Sequence, residues 1–236
     1  MAANFILNLT LARRLSAELA LRYLAVRPIN FDGKIESVAA RPLQAAGADF
    51  FIAIHQDSMH ADLLHEWNWQ GSTQTHTDGY SGFALFVSRD NPDPASSLRC
   101  ASAIGARLRR MGFVPATHHA KPLSGQTREP ADAANAVHYY DNLVVLYRTT
   151  LPAVLFEAGV IKNRQEELAL LDPRRQALMA DAIATGIAAC MHVRQAEKAA
   201  RPISPAAFRA SDRLRRLPVR TQPLSPPSPW PAPESR

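Results

Sequence analysis

The sequence predicts an α/β fold, a three-layer sandwich in which a mostly parallel, twisted sheet lies between helices. One observation is that short apolar runs alternate along the chain with segments of helical periodicity, as they do in βα units. A second is that residues 50–55 and 153–157 are apolar runs that each end in one polar side chain, His55 or Glu157. Such runs are typical of parallel strands that are buried on both faces.

Periodicity and stop signals place the elements. Leu11, Leu15 and Leu19 recur every four positions and predict an amphipathic first helix. Gly112 follows another periodic segment and is a common helix stop. The predicted elements are a helix over 6–22, a strand over 23–28, a helix over 36–46, a strand over 50–55, a loop over 56–80, a strand over 82–88, a helix over 94–111, a strand over 113–117, a polar segment over 118–141, strands over 143–147 and 153–157, and a helix from Asp172-Pro173 to about residue 193.

Composition divides the chain into a domain, residues 1–194, and a disordered, basic, proline-rich tail, residues 195–236. Nine of the eighteen prolines lie in 202–233. Eight basic and three acidic residues in the tail account for +5 of the net charge of +6, which leaves +1 for the domain. The pI near 9.7 therefore reflects the tail, and a nucleic-acid partner is not expected.

Cysteine and hydropathy patterns give weaker indications of compartment. Cys100 and Cys190 lie in apolar helical patterns, where buried free thiols are expected in preference to a disulfide. No run of 18 apolar residues is present, so a transmembrane helix is not expected. Residues 1–24 do not show the charge and apolar order of a signal peptide.

The two strand-end side chains are the strongest candidates for chemistry. In parallel sheets the functional site lies beyond the carboxyl ends of the strands, where both are predicted to lie. An imidazole and a carboxylate suit metal-assisted acid/base chemistry, although each is also compatible with a purely structural role. Further candidates are His118, His119 and His138 for the site or substrate and Trp67 and Trp69 for stacking on sugar rings, although exposed loop positions for the histidines and loop anchoring for the tryptophans are the simpler interpretations.

Four segments, 8–12, 48–55, 81–88 and 151–163, together carry a resemblance to a known family. From Asn8 to about Val193 the chain resembles the zinc-dependent N-acetylmuramoyl-L-alanine amidases, the amidase 3 family of cell-wall hydrolases. The resemblance implies that zinc-activated water cleaves the amide bond between N-acetylmuramic acid and L-alanine of the stem peptide. It implies a Zn²⁺ ion with His55 as a ligand, and Glu157 as the catalytic acid/base. Peptidoglycan or muropeptide would be the substrate, and the periplasm or cell envelope the compartment.

The sequence departs from the family pattern at its beginning. The family's first strand, with an Asp-x-Gly-His segment, has no counterpart before Asn8, and the position of its glutamate ligand holds Asn4. An amide oxygen is a poorer zinc ligand than a carboxylate. Three explanations stay open: an N-terminally incomplete domain, a degenerate relative that binds the cell wall without cutting it, or recruitment of another ligand such as His60 or His65. The intact remainder of the pattern favours the first.

Overall fold

The computed structural model describes residues 2–121 and 127–200. Its contacts group the described residues up to Ala196 into one compact unit. The predicted disordered tail lies outside the described residues from position 201 onward, and the domain boundary near 194 stays a prediction. In chain order the elements are α1 (Ala2–Leu21), α2 (Ala40–Leu43), β1 (Phe51–Asp57), β2 (His65–Trp69), β3 (Ser72–His76), β4 (Ala84–Val87), α3 (Pro94–Arg110), β5 (Pro130–Asp132), β6 (Val137–Tyr139), α4 (Val144–Tyr147), β7 (Ala153–Val160), α5 (Arg164–Leu171) and α6 (Pro173–Ala200).

A mixed sheet of five strands forms the middle layer, in the order β1-β7-β4-β6-β5. The pairs β1/β7 and β4/β6 are parallel, whereas β7/β4 and β6/β5 are antiparallel. Strands β2 and β3 form a separate antiparallel hairpin. The predicted sandwich of helices around a sheet is confirmed, and its sheet is more mixed than the apolar runs suggested. Continuous apolar character reports burial on both faces, which an antiparallel neighbour satisfies as well as a parallel one.

The two faces of the sheet are covered very differently. On the first, which we call the closed face, Leu85, Val154 and Phe156 are fully buried in one large apolar core. The buried sides of α1, α3 and α6 complete that core. On the second, the open face, Phe86 and Leu155 belong to a smaller cluster. Within the described chain, α4 is the only helix that contributes buried residues to this cluster, and Ala45, just after α2, adds another.

Helices α3 and α6 are in close contact on the closed face. A Cβ atom on Gly186 would lie 2.6 Å from Cα of Ile104, so the approach of the two backbones requires glycine. A disulfide joins Cys100 to Cys190, and the prediction of free thiols is wrong. Each cysteine does lie in a buried helical position, but the sequence does not show that the two positions face each other. Pro173–Glu197 is long and apolar enough to cross a membrane, yet 56% of its most apolar window is buried inside the protein.

Several predicted elements differ in the structure. Residues 23–28 are not a strand, because they form no β-pairing with any other described residue. Residues 113–117 are not a strand either, since their β-pairing is limited to a single bridge between Pro115 and Phe83. Residues 143–147 contain helix α4, because a short apolar run does not distinguish a strand from a helical turn. The helix predicted over 36–46 is present only as the short helix α2. The loop predicted over 56–80 contains the β2–β3 hairpin, and helix α5 was not predicted.

Candidate functional site

A cavity of about 430 Å³ lies on the open face, where β1 and β7 end. Its floor is apolar and includes Phe51, Ala53 and Leu155. Five ionisable side chains line it close to one another, and two arginines, Arg41 and Arg128, contribute to the lining as well. The five are His55, Asp57, His118, His119 and Glu157.

The structure brings the two predicted site residues together. Parallel pairing places His55 directly opposite Glu157 in the register of β1 and β7. The Nδ1 atom of His55 lies 3.1 Å from each carboxylate oxygen of Glu157. The carboxylate is 9% exposed and the imidazole 49% exposed, so the pair joins a buried acid to an accessible ring. Burial raises the pKa of Glu157, and the hydrogen bond to Glu157 raises the pKa of His55.

A second group forms two residues further along β1. Asp57 Oδ2 lies 2.7 Å from Nε2 of His118 and 3.1 Å from Nε2 of His119. Burial alone would raise the pKa of Asp57, but its close contacts with the imidazoles of His118 and His119 outweigh this and bring the pKa to about 2. The ligand atoms of the three side chains all lie within 4.8 Å of one another. Sequence reasoning missed Asp57, and the His-x-Asp spacing at the end of an apolar strand was its available signal.

The remaining histidines have different surroundings. His138 is buried on β6, and neither ring nitrogen has a hydrogen-bond partner in the described part of the chain. Burial, followed by the nearby His119 and His118, lowers the pKa of His138 to about 4. His60 lines the cavity but contacts Asp62, whereas His65 lies on the hairpin outside the cavity lining.

The other sequence candidates have structural contacts. Trp67 and Trp69 stack on each other on the hairpin with ring centroids 5.1 Å apart, and neither lines the cavity. The side chain of Asn4 accepts a hydrogen bond from Asn8 within α1 and lies outside the cavity lining. Asn163 is the N-cap of α5, where its side-chain oxygen accepts hydrogen bonds from two backbone N–H groups. Asn163 thus satisfies backbone N–H groups in the first turn of α5.

Comparison with known proteins agrees with the fold. A profile of the N-acetylmuramoyl-L-alanine amidase family matches residues 3–189, and the chain belongs to this family. No curated protein gives a match. Family membership makes the chain a peptidoglycan amidase by resemblance, and it does not favour the alternative of a wall-binding relative without activity. Members of the family are generally zinc-dependent.

Solved amidase structures share the fold. The catalytic domain of CwlV from Bacillus (Paenibacillus) polymyxa is 22% identical, with 80% of this chain and 86% of that chain covered and a TM-score of 0.58. An amidase from Clostridium difficile 630 is 17% identical, with coverages of 79% and 82% and a TM-score of 0.59. AmiC2 of Nostoc punctiforme is 16% identical, with coverages of 79% and 83% and a TM-score of 0.57.

Proposed function

We propose that the chain hydrolyses the amide bond between N-acetylmuramic acid and L-alanine in the open-face cavity, with Glu157 as the catalytic acid/base. The observation that carries this proposal is the contact between Glu157 and His55 at the ends of two paired strands. The family assignment supplies the bond, and the buried carboxylate supplies a group able to move a proton. The substrate would be peptidoglycan or a muropeptide.

Glu157 is suited to two successive proton transfers. Because burial raises its pKa, its carboxylate holds a proton more readily than an exposed one does. It would accept a proton from the attacking water and pass it to the departing amine of L-alanine. General acid/base catalysis of this kind contributes about 10²–10⁴-fold to the rate. The contact with His55 holds the carboxylate in a defined orientation at the cavity wall.

We propose His55 as a Zn²⁺ ligand in this active site. Its Nδ1 atom faces Glu157, which leaves Nε2 as the nitrogen available to Zn²⁺. A carboxylate on the far nitrogen is the usual arrangement for a zinc-binding histidine, because it fixes the ring and its tautomer. The donor types in the cavity, imidazole nitrogen and carboxylate oxygen, fit zinc. Bound Zn²⁺ would supply an activated water with a pKa of about 7 and polarise the scissile carbonyl.

The disulfide supports a location in the periplasm or cell envelope. Disulfides persist in oxidising compartments and are rare in the cytosol. Cys100 and Cys190 are paired in the structure, and peptidoglycan is reached from the same compartments. An enzyme acting there would keep this cross-link.

Digestion of purified sacculi tests the proposed reaction. The wild-type chain should release stem peptides, and both a chelator and Glu157→Gln should abolish the release. Release that persists in the chelator would contradict the zinc-dependent mechanism. Binding to sacculi without release, by protein with a normal far-UV circular dichroism spectrum, would instead support the non-catalytic wall-binding alternative.

A further inference from the structure

Two buried side chains, Asp57 and His118, and one partly buried side chain, His119, meet at one carboxylate oxygen in the cavity. Asp57 is at the end of β1, and His118 and His119 form a 3-10 turn with Ala120. We infer that Asp57, His118 and His119 bind a divalent transition-metal ion such as Zn²⁺, at a site separate from the His55–Glu157 pair. We call these three residues the Asp57 triad.

The donor chemistry and spacing fit one ion. Two imidazoles and one carboxylate are a ligand set that zinc accepts, with a fourth position left for water. Donors that lie about 2.0–2.2 Å from a common zinc ion are at most about 4.4 Å apart. The triad atoms lie within 4.8 Å of one another, and two of the separations are 2.7 and 3.1 Å. A small rotation of the side chains would therefore bring all three donors to bonding distance.

Hydrogen bonding within the triad is incomplete. The ring of His118 makes a hydrogen bond to Asp57. The Nε2 atom of His119 is buried, and it lacks hydrogen-bond geometry toward Asp57 or any other partner among the described residues. A buried nitrogen without a partner loses its hydrogen bond to water without a replacement, so such atoms call for an explanation. A metal ion would take the lone pair of this nitrogen and neutralise the buried carboxylate.

The surrounding structure holds the donors in place before any ion binds. The backbone N–H of Arg128 donates to the carbonyl of His119 at 2.7 Å, and the N–H of Ile161 donates to the carbonyl of Asp57 at 3.0 Å. The ring of Phe86 contacts His119 edge-on, with centroids 4.9 Å apart. Ligands fixed in this way lose little freedom on binding a metal, which favours affinity.

The triad and the catalytic pair use different donors. Within the described chain, the Nδ1 atom of His55 contacts Glu157, whereas both imidazoles of the triad face Asp57. No donor atom is shared between these contacts. Substitution of one set should therefore leave metal binding by the other set intact.

Metal analysis of the full-length protein separates the two sets. After loading with Zn²⁺ and dialysis, the wild type should retain a zinc equivalent that Asp57→Asn and His119→Gln lose or bind at least about tenfold more weakly. His55→Gln should keep this equivalent, and so should the matched surface control His65→Gln. With Co²⁺ in place of zinc, the same two triad variants should lose the visible absorption of the bound ion. Circular dichroism spectra would establish that each variant is folded.

Three results would overturn the inference: no retained zinc in the wild type, equal retention by the triad variants, or loss of the same equivalent in His55→Gln. If a triad variant unfolds, zinc-dependent elevation of the melting temperature, compared between wild type and His118→Gln, provides the second measurement. Sacculus digestion is a separate readout. A protein that binds this ion but releases no stem peptide contradicts the proposed reaction and leaves the metal site standing.

Discussion

The closed face of the sheet forms the large apolar core, whereas the open face forms the cavity with the candidate site. Adjacent residues of β7 show the division, because Phe156 is fully buried in the large core while Glu157 lines the cavity on the other side. Three long helices cover the closed face, whereas the open face holds a cavity that is lined by several ionisable groups. The alternation of side chains along a strand thus lets one strand anchor the core and present a reactive carboxylate.

The largest expected effect is on the open face. Glu157→Gln keeps the shape of the side chain and removes its capacity to accept a proton. The rate of stem-peptide release should fall by about 10²–10⁴-fold while the melting temperature stays close to that of the wild type. Glu66→Gln on the exposed hairpin is the matched control and should retain full activity. Equal loss of activity in both variants would contradict the role of Glu157.

Side-chain truncations at neighbouring positions of β7 compare how much each face contributes to the free energy of unfolding. Phe156→Ala should lower the free energy of unfolding by about 3–5 kcal/mol, because it leaves a cavity in the closed core. Leu155→Ala should cost only about 2 kcal/mol, since Leu155 borders a cavity that already exists. Urea denaturation of both variants measures the difference. A larger cost at Leu155 would reverse the assignment of the two faces.

The disulfide should matter for stability and not for chemistry. Replacing both Cys100 and Cys190 with alanine removes a cross-link between residues 90 positions apart on the closed face. The free energy of unfolding should fall by about 2–4 kcal/mol. Activity per folded molecule should not change, because neither residue lines the cavity. Thermal melts with and without a reductant provide the measurement, and a wild-type melt that the reductant leaves unchanged would speak against the cross-link.

A smaller effect is expected at the beginning of α3. Asp93 caps this helix by accepting a hydrogen bond from the N–H of Ser96, and it also pairs with Arg194. Asp93→Ala should cost about 1 kcal/mol at neutral pH, whereas Asp93→Asn keeps the cap and should cost less.

The stabilisation by Asp93 should depend on pH. Burial raises the pKa of Asp93, but the bonds from Arg194 and Ser96 outweigh this and lower it overall. A lowered pKa in the folded state means that the stabilisation is complete above the pKa of the unfolded chain, and is lost as the pH falls through the folded value. Chemical denaturation at several pH values should show wild type and Asp93→Ala converging in acid. A constant difference would contradict the ionic contribution.

The sequence predicted the parts of the fold that depend on local pattern. The spacing of Leu11, Leu15 and Leu19 predicted a helix with one buried side, and all three are buried in the closed core. His55 and Glu157 were identifiable because each ends an apolar run, and parallel pairing then places the two side by side.

What the sequence did not show depends on contacts between distant segments. Asp57 meets His118 across 61 positions of the chain, and no local pattern of the 118–141 segment indicates which way the two imidazoles point. The helical turn at 143–147 and the pairing of Cys100 with Cys190 were mispredicted for a related reason. In each case the outcome is decided by packing against another element.

We propose that the open face cleaves one particular bond of peptidoglycan, the amide between N-acetylmuramic acid and L-alanine. Mass spectrometry of the products that the wild-type chain releases from purified sacculi tests it most directly. We expect stem peptides with a free L-alanine amino group and glycan strands that keep intact N-acetylmuramic acid, with neither formed by Glu157→Gln. Cleavage of a glycosidic bond or of a bond within the stem peptide, or equal product formation by the variant, would contradict it.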